Sequence, residues 1–508
     1  MLFNKHNYSL MKQTGITEDM KEIKYKSNDN NNLKHSLNLL DGTMVVAGSM
    51  IGSGIFIVSA DITRNVGSVG WLIAIWIITG FMTLTAALSY GELSAMYPNA
   101  GGQYVYLKEA YNKLVAFLYG WSFFAVIQTG TIAAVGVAFS KFAAYLIPAF
   151  SEDHILWKLQ IGVDDVGVAK AFTINAAQIV SILLIILLTF VNTRGVKSGK
   201  IIQNTFTLTK LFSLFGLIIF GFIMLKGDIW HANWNDAWHL QKLNTNGKFS
   251  QYTFGAALGA IAAAMVGSIF SSDAWNNVTF IAGEMRNPKR DIALSLFFGT
   301  LIVTLIYVSA NIVYSSVLPL HDIATAPKDR VAVSAAKAIL GNVGTVIIAL
   351  MIMISTFGCN NGLIMAGARV YYTMAKDRLF FKKTGELNKF SVPEFGLWIQ
   401  CLVASILCLS GKYGDLLDMI SFVVVLFYVL TIIGIYVLRA KHPDAERPYK
   451  AFGYPILPAV YIIMGLSFCA SLIIYKPEFT WPGLIIVLTG VPIYYVSQRN
   501  VNHSNISN

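Results

Sequence analysis

Apolar residues in this chain run in long blocks rather than at the spacing of an amphipathic helix or strand. Twelve blocks stand out, at roughly 37–66, 69–96, 114–147, 172–191, 201–225, 254–282, 292–318, 343–375, 395–410, 416–438, 456–474 and 481–496. About 20 apolar residues cross the hydrocarbon core of a bilayer as a helix. Each block therefore predicts a spanning helix, and spans 3 and 8 are long enough to tilt or protrude. The predicted fold class is an all-α polytopic membrane protein of about twelve transmembrane helices. The longest stretch between spans, near 226–253, carries Trp230, Trp234 and Trp238, a cluster suited to the membrane–water interface.

Two spans carry interruptions that a plain membrane helix has no use for. Span 1 contains GSMIGSGIF, residues 48–56, with Gly48, Gly52 and Gly54 beside Ser49 and Ser53. Glycine in a helix interior costs about 1 kcal/mol relative to alanine. Span 6 contains SIFSSDAWNN, where Ser271, Ser272 and Asp273 favour loss of helix. Each interrupted span opens a group of five, and an odd number of helices inverts the second group relative to the first. Interrupted helices at matching positions of inverted halves point to the binding site of a secondary transporter. Residues 37–226 and 253–439 are thus expected as two inverted five-helix repeats, 454–497 as two accessory helices, and 1–36 and 498–508 as cytosolic tails, the first disordered.

An unwound Gly52-Ser53-Gly54 would present backbone N–H groups and the positive end of the outer half-helix to an anion such as a carboxylate. The other reading is a packing face, since Gly48 and Gly52, like Ser49 and Ser53, lie four apart. Asp273 at bilayer depth is a functional candidate by default, and broken backbone there offers carbonyls to an ammonium group. The alternative is a structural acid paired with a polar group of span 8 or span 10. A carboxylate site facing an amine site describes an amino acid. Lys210 lies about ten residues into span 5. It would stand in for a bound sodium ion and hold span 1, exchange a proton, or make a permanent backbone contact. Glu92, Glu284 and Arg369 fall near one end of their spans, and a Glu284–Arg369 pair would close the cytosolic side. Phe270, beside the break, is the candidate outer lid.

Of 508 residues, 55% are hydrophobic and 13% charged, against about 25% charged in soluble proteins, which excludes a soluble enzyme with a large core. The net charge of +11 reflects topology rather than nucleic-acid binding. Lys and Arg gather in alternate loops, such as Arg286, Lys289 and Arg290 or Lys376, Arg378, Lys382 and Lys383, and are sparse at 151–170. That bias predicts both termini on the cytosolic side. Cys359, Cys401, Cys408 and Cys469 all lie in apolar spans, so no disulfide framework is expected. No phosphate-binding loop or metal-spaced His/Cys cluster is present, so neither cofactor nor enzyme activity is expected. The polar N-terminus, with NDNNN at 28–32, lacks the features of a signal peptide.

Several stretches are similar in order to the amino acid–polyamine–organocation superfamily, and most to its L-amino acid transporter branch and bacterial relatives. They are GSMIGSGIF in span 1, YGELSAMYPNAGGQYVYLKEAY after span 2, DAWNNVTFIAGEMRNPKRDI in span 6, STFGCNNGLIMAGARVYY in span 8 and HPDAERPYKAFGYPILP after span 10. The resemblance implies a LeuT-like fold of two inverted five-helix repeats with broken helices 1 and 6. It also implies sodium-independent transport of L-amino acids across the cytoplasmic membrane by alternating access, through exchange. A proton-coupled symporter and a non-transporting sensor are the alternatives. Carried over, Met50, Ser53 and Gly54 would bind the substrate carboxylate, and carbonyls at Phe270, Ser271 and Asp273 its amine. Trp275 and Asn276 match the W-N after the break, and Lys210 matches the span 5 lysine of sodium-independent members. Many relatives have an aromatic residue and glycine where this chain has Ser272 and Asp273, which implies a roomier site and leaves open a cationic preference. No cysteine occurs in 148–171, so the disulfide-linked heavy chain of eukaryotic relatives is not expected.

Overall fold

The computed structural model describes residues 35–163, 169–244, 246–252, 254–410 and 413–506. Residues 1–34 of the expected N-terminal tail lie outside them. The helices are α1 Leu39–Met50, α2 Gly54–Val66, α3 Val69–Met96, α4 Gln103–Ala110, α5 Lys113–Leu146, α6 Ala176–Thr193, α7 Val196–Ile223, α8 Phe254–Ser271, α9 Asn277–Phe280, α10 Pro288–Val317, α11 Val331–Lys376, α12 Glu394–Ser410, α13 Tyr413–Lys441, α14 Ile456–Tyr475 and α15 Pro477–Ile506. Short helices at Gly227–Trp234 and Leu320–Ala324 lie between spans.

Among the described residues, eight helices are individually long and apolar enough to cross a membrane. The pair α1 and α2, bent by 42° at its break, makes a ninth span. Apolar segments Ala256–Ser271, Glu394–Leu409 and Thr480–Val496 are shorter. Together these account for all twelve sequence spans in a polytopic helical membrane fold. Large apolar side chains such as Phe212, Ile223, Leu305 and Ile406 point outward, as expected where the surrounding solvent is hydrocarbon rather than water.

Local chemistry sets the ends. Asn38 caps α1 in a reciprocal box with Asp41, satisfying two amides that a helix start leaves unpaired. Gly67 ends α2 with φ at 59°, a left-handed turn that favours glycine. The bundle core forms where α3 lies along α10, α11 packs on α5 and α7, and α2 packs on α8; α1 sits among α7, α10 and α11. At one end, Leu37 bridges to Met285 and accepts from the amide of Arg286. This end is called the Asn38 face. At the opposite, Gly67 face, residues 237 and 238 fold over the span ends: Gly70 N–H donates to Ala237 O and Trp71 Nε1–H to Trp238 O.

Three features depart from the sequence expectation. The loop at 151–170 holds antiparallel strands, β1 Ile155–Val163 with β2 Ala169–Asn175, and β2 takes the first residues of the expected fourth span, whose helix begins at Ala176. A second, short hairpin pairs Gln241–Leu243 with Phe249–Gln251. Helix α11 begins at Val331 rather than near 343, because its leading segment is itself helical and joins the span through a kink at Gly341, φ 66°. Finally, α15 continues to Ile506, through most of the stretch expected as a C-terminal tail.

Candidate functional site

Both breaks meet at the centre of the bundle. Helix α1 loses its ladder where Gly52 N–H turns back to Met50 O at 2.8 Å, and α2 restarts at Gly54. A helix end leaves its last carbonyls and first amides without intrahelical partners. The carbonyls find side chains. Lys210, fully buried on α7, donates to Gly48 O and Ile51 O at 2.7 Å each. Ser355 Oγ also reaches Ile51 O at 3.2 Å, and Cys359 Sγ donates to Ser49 O at 3.0 Å. The phenol of Tyr307 on α10 lies 2.9 Å from Met50 O and 3.0 Å from Ser271 O. That single hydroxyl therefore bridges the break of span 1 to the break of span 6.

Gly54 shows why that position carries no side chain. A Cβ there would sit 2.6 Å from Ser271 Cβ and 3.0 Å from Ser271 Cα. The two broken helices touch backbone to side chain, and only glycine allows the approach. Beyond Ser271 the chain turns through Ala274 at φ 63° and resumes as α9, so the helix is lost over the residues read from sequence.

Asp273 is buried and accepts from the phenol of Tyr428, on α13, at 2.5 Å. Span 10 thus supplies the partner that the structural reading of this acid called for, while the carboxylate also lines a narrow cavity. Asn276 Nδ2–H donates to Gln103 Oε1, and Gln103 Nε2–H donates in turn to Thr431 Oγ1, both at 3.0 Å. Trp275 packs edge-on against Tyr90 with ring centres 4.7 Å apart. Lining the cavity are Asp273, Ala274, Asn276 and Asn277 from the break, Tyr119, Phe123, Ile127, Gln128 and Thr131 from α5, and Val424 and Tyr428 from α13, with Gln103 and Leu363. Phe270 is buried at the end of α8. Met50, Gly52, Ser53, Gly54, Phe270 and Ser271 gather around the paired breaks and do not line this cavity.

On the Asn38 face, Arg369 Nε–H donates to Glu284 Oε1 at 2.9 Å, with both side chains wholly buried. Arg369 Nη1–H donates to Met365 O at 2.5 Å. Glu284 Oε2 and Arg369 Nη2 have no hydrogen-bond partner among the described residues. Glu92 is separate from this pair. It accepts from Arg439 Nε at 3.0 Å and Nη2 at 2.7 Å, and from Ala451 N–H at 2.7 Å.

Sequence reasoning did not single out Tyr307, Tyr428, Gln103 or Ser355. Each sits in or beside an apolar span, where a lone tyrosine or serine reads as packing. The spacing that would find them is the helical register facing the two breaks.

A helical membrane bundle whose first and sixth spans break opposite each other around buried polar side chains defines the class of secondary-transporter folds with a central site. The sequence profile of the amino acid permease family matches residues 37–497, and the chain belongs to that family. Similar proteins include the serine/threonine exchanger SteT of Bacillus subtilis, 28% identical over 92% of this chain and 98% of its own length. The human large neutral amino acids transporter small subunit 2 is 28% identical over 91% of this chain and 80% of its length. The human b(0,+)-type amino acid transporter 1 is 27% identical over 96% and 93%.

Proposed function

We propose that the protein is a sodium-independent secondary transporter that exchanges L-amino acids across the cytoplasmic membrane by alternating access. The observation that carries this reading is the Tyr307 phenol within hydrogen-bond reach of Met50 O and Ser271 O, which joins two helix breaks at mid-bundle. Membership of the amino acid permease family, and relatives whose names describe amino acid exchange and transport, support it.

In this reading the start of α2 at Gly52, Ser53 and Gly54 receives the substrate carboxylate, where amides and helix dipole favour an anion. Carbonyls at Phe270, Ser271 and Asp273 receive the ammonium; Met50, expected on the carboxylate side, offers a carbonyl that can only accept and so joins them, and Asn276 completes the substrate-binding set. Lys210 takes the place of a coupling cation by holding the carbonyls of α1. Glu284 and Arg369 close the Asn38 face, which the loop charges assign to the cytosol along with both termini, and Phe270 closes the other. Residues 37–226 and 253–439 are the inverted repeats, and 454–497 the accessory pair. The chain functions in the bilayer with no disulfide-linked heavy chain.

The test is uptake of labelled L-amino acids into proteoliposomes that are empty, preloaded with unlabelled amino acid, or under an inward proton gradient. Exchange predicts uptake only into preloaded vesicles. Accumulation in empty vesicles under the proton gradient would replace exchange by symport. Absence of uptake in every arm, with amino acid binding retained, would point to a sensor.

A further inference from the structure

The narrow cavity beside Asp273 is lined by two residues whose buried polar atoms no described residue satisfies. Tyr119, 2% exposed, presents a hydroxyl without a hydrogen-bond partner, and Asn277, 1% exposed, presents an amide Nδ2 in the same condition. Both residues line the cavity. Its other polar residues have partners already: Gln103 and Asn276 bond each other, Gln128 Nε2–H donates to Leu363 O at 2.6 Å, and Tyr428 donates to Asp273. Buried polar groups are rarely left unpaired, because the unpaired group forfeits its hydration for nothing. Two such groups beside a carboxylate in one cavity describe a ligand by its complement.

The Nδ2 of Asn277 is only a donor and requires an acceptor from the ligand. The Asp273 carboxylate already accepts from Tyr428 and repels an anion. An apolar side chain leaves Asn277 and Tyr119 unpaired. A cationic side chain suits Asp273 but brings no acceptor for Asn277. A neutral side chain that carries an acceptor for Asn277 and a hydrogen-bonding atom for the Tyr119 hydroxyl answers both. Resting on the transporter reading above, we propose that this cavity receives the side chain of the transported amino acid and selects carboxamide and hydroxyl side chains over apolar, cationic and anionic ones.

Isosteric substrates make the test sharp, because asparagine matches leucine in shape and threonine matches valine. Initial uptake of labelled asparagine, threonine, leucine, valine, arginine and glutamate is measured at one concentration in preloaded proteoliposomes. Thermal stabilisation of the purified protein by each amino acid is measured alongside. Wild type is expected to favour asparagine over leucine, and threonine over valine, by at least about tenfold, the factor of one well-made buried hydrogen bond. Asn277→Leu, itself isosteric, is expected to cut the asparagine-to-leucine ratio by about tenfold, and Tyr119→Phe to cut it in the same direction. Wild-type preference for leucine, valine, arginine or glutamate overturns the proposal while leaving amino acid transport standing. So does an unchanged ratio in both membrane-inserted variants. If no amino acid is taken up and none stabilises the protein, the transporter reading falls and the selectivity falls with it.

Discussion

The ammonium of Lys210 lies 2.7 Å from the carbonyl oxygen of Ile51, the residue at which the first half of span 1 ends. It reaches Gly48 O at the same distance. The C-terminal end of a helix is the negative end of its dipole, so a cation belongs there, and the chain supplies one from α7.

If Lys210 does the work of a coupling cation, replacing sodium by choline is expected to leave initial uptake unchanged. Lys210→Met is expected to abolish uptake and to lower the unfolding temperature of the purified protein, since each bared carbonyl costs about 1–3 kcal/mol. Wild-type stability and uptake in that variant would show that the tether is dispensable.

The close approach of Gly54 to Ser271 predicts a size-dependent defect. Gly54→Ala is expected to lower both uptake and stability, because its Cβ meets Ser271 Cβ and overpacking costs about 1–3 kcal/mol. Ser271→Gly, added to Gly54→Ala, is expected to restore thermal stability. A double variant no more stable than Gly54→Ala would place the strain elsewhere.

The Glu284–Arg369 pair predicts an asymmetry between breaking it and deleting it. Glu284→Leu or Arg369→Met alone leaves one bare charge in a dry interior, a loss of about 3–5 kcal/mol. The double variant is expected to be more stable than either single one, as read from thermal unfolding, and, if the pair is the proposed cytosolic closure, to transport abnormally. Strict additivity of the two singles would show that the charges act independently.

Glu92 predicts a local opening. Its carboxylate joins Arg439 on α13 to the amide of Ala451, pinning the 442–455 segment to the end of α3. Glu92→Leu is expected to speed trypsin cleavage at Arg447 or Lys450 with little change elsewhere in the digest. A wild-type digest would mean that the segment is held by other contacts.

The spans and their two breaks were legible because each rests on short-range chemistry: runs of apolar residues, Gly52-Ser53-Gly54, and Ser271-Ser272-Asp273. What closes the breaks was less legible. Tyr307 lies 36 residues from Ser271 and 257 from Met50, and nothing in an apolar span tells which tyrosine turns inward. Glu92 read as one interfacial charge among several, because Arg439 lies 347 residues away. The β1 hairpin had a local signal that charge reading obscured: Trp157, Leu159 and Ile161 alternate with Lys158 and Gln160, the period of a strand. The start of α11 depended on Gly341, whose backbone lets a helix turn a corner without ending.

A phenol has one proton, and Tyr307 stands between two carbonyls that both accept it. While the proton points to Met50 O, Ser271 O looks to another donor, and the reverse holds when it swings across. If the ammonium of a substrate is received at either oxygen, as proposed, it would release the phenol to the other. Occupancy at one broken helix would then reach its counterpart through rotation about a single side-chain bond.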